Sequence, residues 1–94
     1  MASFPFQVEV VDPAGRFVMC RELERNRFAL GPGAKLGDVE VTHVSQPRAI
    51  AADGTPRVDL FVFKLARPAD AKRFHAGATV LLVAEEAPKV RLDG

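Results

Sequence analysis

The apolar residues of this chain recur with a period of two, and Gly or Pro interrupts them every few residues. Phe4, Phe6, Val8 and Val10 alternate with Pro5, Gln7 and Glu9, which is the signature of a half-buried strand. Asp12-Pro13-Ala14-Gly15 then reads as a turn: Pro presets one dihedral angle, Asp bonds its own backbone, and Gly closes the reversal. No stretch is long and amphipathic enough for a full helix.

The rest of the chain continues in the same way. Residues 16–23 form a second strand, apolar on both faces at its centre, and 24–27 reverse it. Asn26 is the candidate for a left-handed backbone there. Phe28-Ala29-Leu30 is a short strand ended by Gly31-Pro32-Gly33. Residues 38–44 alternate, with Val39, Val41 and His43 expected on one face. Residues 46–57 carry Pro47, Asp53-Gly54 and Pro56 and read as a mobile loop. Residues 58–65 form the strongest strand, 68–74 one helical turn, 79–83 a buried strand, and 89–92 a last strand. Six or seven short strands between Gly/Pro turns predict an all-β fold, a small closed antiparallel β-barrel of about six strands spanning 1–94 as a single domain.

Composition narrows the function classes. Hydrophobic residues make up 48% and charged residues 27% of the chain, and the net charge is +1, which excludes intrinsic disorder. A lone cysteine, Cys20, excludes a disulfide framework and a cysteine-rich zinc site. The start of the chain lacks a basic, then apolar, leader pattern, and no apolar run approaches the ~20 residues of a membrane span. A cytoplasmic location away from membranes is expected.

Few residues invite chemistry. His43 and His75 lie far apart in sequence and outside any metal-ligand spacing; they read as a partly buried strand residue and an exposed loop residue. Cys20 reads as a small core residue, since Arg21 beside it points to the opposite face of a strand. Glu22 and Glu24, interleaved with arginines, read as surface ion-pairing groups, and Glu85-Glu86 as a solvated strand end. Gly31-Pro32-Gly33-Ala34-Lys35 lacks the Gly-Lys-Ser/Thr ending of a phosphate loop and reads as a turn, so no nucleotide site, cofactor, metal site or catalytic residue is expected. The one suggestive group is arginine-rich: Arg16, Arg21, Arg25 and Arg27 come from one hairpin and are expected along one edge.

In order, Gly15-Arg16, Glu24-Arg25-Asn26, Gly31 and Ala76-Gly77-Ala78-Thr79-Val80-Leu81-Leu82 resemble the turn and core positions of the second-domain β-barrel of elongation factor Tu and related translational GTPases. Asn26 stands where that family usually has Gly, and residues 46–66 exceed the family's insertion at that point. The family's barrel is attached to a GTPase domain, which these residues do not contain. The resemblance covers most of residues 4–84 and implies a barrel that contacts the ribosome or the acceptor end of aminoacyl-tRNA.

A six-stranded barrel is filled by its own side chains, so function is expected on its outside. The leading expectation is a noncatalytic binding module for RNA, the ribosome or another protein, with Arg16, Arg25, Arg27 and Arg48 as contacts. Self-association through an exposed edge of strand 58–65 is the alternative. A small-molecule or enzymatic barrel using His43, His75, Asp70 or Cys20 is the third.

Overall fold

Alternation buries one face of each strand, and the edges are satisfied when the strands close on one another. The computed structural model describes residues 2–25 and 27–86. In chain order the strands are β1 (Ala2–Val11), β2 (Phe17–Glu22), β3 (Phe28–Ala29), β4 (Lys35–Leu36), β5 (Val39–Ser45), β6 (Ala49–Ile50), β7 (Pro56–Arg57), β8 (Leu60–Leu65) and β9 (Thr79–Glu86). A 3-10 helix, Pro68–Arg73, precedes β9. Six strands form a closed antiparallel ring, β1-β2-β8-β5-β4-β9, sealed by the pairing of β9 with β1 from Ala2↔Ala84 to Gln7↔Thr79. β3 extends the sheet at the end of β9, through Phe28↔Glu86 and Ala29↔Glu85. The all-β, closed antiparallel architecture with one short helical turn is therefore what the chain forms. No helix of the described residues is long and apolar enough to cross a membrane.

The interior is filled. Phe6, Phe63, Leu36, Leu82, Val8 and Val18 are fully buried. Phe6 meets Phe28, Phe61 and Phe63 edge-on at 5.8, 5.7 and 5.2 Å between ring centroids, the T-shaped geometry that the ring quadrupoles favour. Cys20 joins this core, as its strand phase predicts.

Two bulges overturn the simple alternation. In β1 the register skips between Val8↔Cys20 and Val10↔Met19, so Glu9 is the extra residue. A bulge shifts the face of every residue after it. Val10, expected inside, is exposed, and Val11 packs on the core instead. In β5 the register skips between Val41↔Leu65 and His43↔Lys64. Val39 and Val41 are buried, His43 turns outward, and Val44 takes the inward position. His43 is therefore not the partly buried strand residue expected.

Three further expectations change. Residues 46–57 are not an irregular loop: β6 and β7 pair as a small hairpin, Ala49↔Arg57 and Ile50↔Pro56. Lys35, expected in a turn, belongs to β4, which bridges β5 and β9. β8 is paired along both edges, by β2 and β5, so it offers no edge for self-association. The expected strand at 89–92 and the left-handed Asn26 lie outside the described residues.

Antiparallel closure gives the ring two ends. One gathers the 12–16 turn between β1 and β2, the Gly37-Asp38 turn and the 3-10 helix; the other gathers the end of β2, the start of β3, the end of β5 and the β6–β7 hairpin. We call these the helix end and the hairpin end.

Candidate functional site

The predicted arginines do not share one edge. Arg16 lies at the helix end, whereas Arg25, Arg27 and Arg48 lie at the hairpin end, with the six residues of β2, or ~20 Å, between. Arg16 is also engaged. Its Nε donates to Asp12 Oδ2 at 2.9 Å and its backbone N–H to the same oxygen at 3.0 Å. Asp12 is buried, and the side-chain bond from Arg16 holds its carboxyl below the usual range, against the opposing pull of burial. Arg16 thus serves the turn. Arg21 serves the sheet: it bonds Gln7 Oε1 across the β1–β2 pair at 2.6 Å.

The hairpin end is built differently. The β6–β7 reversal is fixed by Asp53, whose Oδ1 accepts the backbone N–H of Thr55 at 3.1 Å and its hydroxyl at 2.6 Å. Asp and Gly suit such a reversal because Asp closes the turn locally and Gly54 supplies a positive φ of 88°. Arg57 anchors the base of the hairpin. It bonds Asp59 and crosses the outer face of β2 to reach Glu9 of β1 at 3.2 Å. The pairing holds the Asp59 carboxyl below its usual range, Arg57 being the chief cause.

Two adjacent clefts open beside this hairpin. The first, about 530 Å³, is lined by Glu22, Arg25, Arg27, Gln46, Val58 and Phe61. The second, about 460 Å³, includes Pro47, Arg48, Ile50 and Pro56. Gln46 and Val58 belong to both, and the Gln46 amide donates to the Val58 carbonyl at 2.9 Å. Among the described residues, Arg25, Arg27 and Arg48 make no ion pair. Ile50 is 73% exposed and Val58 56%, the two most exposed large apolar residues among those described.

Three of the four expected contact residues therefore converge on one surface, and Arg16 does not join them. Gln46, Ile50, Val58 and Phe61 were not singled out from the sequence. Ile50 is the one with a legible signal, as a large apolar residue inside a polar, turn-rich stretch. Val58 reads as the first residue of a strand, but β8 begins at Leu60 and leaves it in the cleft wall.

The residues weighed for catalysis are buried, have other partners or lie exposed. Cys20 is fully buried, and burial, then the charge of Glu9, pushes its thiol up to about 12, so it holds its proton at neutral pH. His43 is exposed on β5 with its Nδ1 3.1 Å from Thr42 Oγ1, and His75 is exposed at the helix end. Asp70 faces Arg67 at 3.5 Å. No group of three His, Cys, Asp or Glu side chains converges among the described residues. Searches against protein-family models, curated proteins and solved structures return no match to this chain.

Proposed function

We propose that this chain is a noncatalytic binding module that engages its partner at the hairpin end of the ring. The observation that supports this reading is the grouping of Arg25, Arg27 and Arg48, without ion pairs among the described residues, around two clefts. A guanidinium left in solvent at a concave surface is an available donor for phosphate or carboxylate. The solid interior supports an external site, since the buried apolar side chains fill the space a lumen ligand would need.

RNA or a ribosomal surface is the partner suggested by the turn residues that resemble those of the translational GTPase barrel, and the cytoplasm is the matching compartment. A protein partner is favoured by a separate observation, the exposed Ile50 and Val58 beside the arginines. Interfaces enrich Arg and deplete Lys, and exposed aliphatic surface gains free energy when a partner covers it.

The test compares the wild type with an Arg25→Gln/Arg27→Gln/Arg48→Gln variant in pull-downs from native lysate, with and without nuclease. The triple variant should lose the captured partner while Arg16→Gln retains it. Equal capture by wild type and triple variant would place the interaction elsewhere and reject this surface.

A further inference from the structure

We propose that the hairpin-end clefts receive an extended acidic peptide segment of a partner protein, carrying an aliphatic side chain between carboxylates. This rests on the binding-module reading above and names the partner's chemistry.

Charge and apolar content together favour this occupant. Arg25 and Arg27 flank the first cleft and Arg48 the second, so cations stand on both sides of the shared Gln46–Val58 wall. A carboxylate on each side would meet a guanidinium at the geometry that pairs best. Val58 in the shared wall and Ile50 in the second cleft present exposed apolar surface, and Pro47 and Pro56 enlarge it. Burying such surface under an aliphatic side chain is favourable and adds to the two charge contacts. An extended peptide laid across the shared wall reaches both clefts.

A nucleic acid fits the same surface less well. A phosphate backbone needs a continuous positive track. Here Glu22 lines the first cleft beside Arg25 and Arg27, and Glu24 belongs to the same turn. Stacking of bases needs free aromatic faces. Phe61 is the aromatic residue of the first cleft, and it already packs on Phe6 and Phe28 at 5.7 and 5.4 Å. The second cleft is mainly aliphatic and proline-walled.

The experiment selects random nine-residue peptides, displayed on phage, on the 94-residue protein, and measures the enriched peptides by fluorescence anisotropy beside a random single-stranded RNA pool. The expected consensus holds acidic residues on both sides of an Ile, Leu or Val. Arg25→Gln/Arg27→Gln/Arg48→Gln should weaken these peptides about 10-fold or more, and so should Ile50→Asp, with circular dichroism confirming that both variants fold. Peptides enriched without acidic residues, or unaffected by either variant, would overturn the proposal. RNA binding that needs the three arginines but tolerates Ile50→Asp overturns the peptide while sparing the binding-module reading. Neither peptide nor RNA binding through these arginines removes both.

Discussion

Gly15 shows how one residue can decide a turn. Its φ is +78°, and a Cβ added there would lie 2.3 Å from the carbonyl oxygen of Pro68. Backbone conformation and close approach both exclude a side chain, and Pro68 cannot retreat because it begins the 3-10 helix. Gly15→Ala should destabilise the fold by about 3 kcal/mol or more. Gly33 has a similar φ of +81° but open space around it, so Gly33→Ala should cost only about 1–2 kcal/mol. Urea denaturation of the two variants separates the contributions of clash and conformation, and equal losses would refute the Pro68 contact. Asp12, in the same turn, makes stability depend on acidity. Its folded carboxyl titrates below the ordinary value of 3.8, chiefly because of the Arg16 bond. A lowered folded value means stabilisation that is complete above the unfolded value and is lost as pH falls through the folded one. Asp59, held down by Arg57, adds a loss in the same window. Stability measured by thermal melts should thus decline below about pH 4, and Asp12→Asn should flatten that decline. An unchanged slope in Asp12→Asn would show that the turn does not carry it.

At the scale of the element, the bulges separate what alternation predicts from what pairing enforces. Plain alternation along β5 makes His43 an inward neighbour of Val39 and Val41, with Val44 outside. The register skip after Val41 reverses both. His43→Ala should therefore change stability by less than about 0.5 kcal/mol, whereas Val44→Ala should cost about 1 kcal/mol or more. The opposite ranking in chemical denaturation would restore unbroken alternation. The strands themselves were legible: Phe4 and Phe6 announce a buried face by alternation, and the apolar runs around Val18-Met19-Cys20 and Leu60-Phe61-Val62-Phe63 mark strands without saying which face is buried. The bulges were not, since an extra residue is specified by what the partner strand offers across the ladder rather than by the bulged residue itself. β4 was hidden for a related reason: two residues beside a Gly-Pro-Gly turn carry no period, and only the bridging of β5 and β9 makes them a strand. The candidate site was half legible. Arg25, Arg27 and Arg48 could be suspected by type, but Arg16 could be excluded only once the antiparallel closure assigned it to the helix end.

For the whole molecule, closure joins the most distant parts of the chain. Ala2 pairs with Ala84 across the seam of the ring, and directly opposed residues of an antiparallel pair lie only about 5 Å apart. The β1–β9 seam must form before the ring excludes water from Phe6 and Leu82, so folding waits on a contact of high sequence separation and should take milliseconds to seconds. The same geometry makes the molecule indifferent to where its chain is opened, provided the cut falls outside the ring. Joining Gly94 to Met1 and opening the chain between Asp53 and Gly54 cuts the exposed tip of the β6–β7 hairpin, which lies outside the six-stranded ring. This permutant should keep the β-sheet circular dichroism spectrum and a cooperative melt, with the β5–β8 pairing now closing the ring between the two ends of the chain. Opening between Gly15 and Arg16 instead severs the turn that Asp12 and Pro68 hold together, and that permutant should lose most of its cooperativity. If the first permutant failed to melt cooperatively while the second succeeded, the hairpin would be part of the folding core rather than an appendage of it. Its role as a separate docking element would then have to be abandoned.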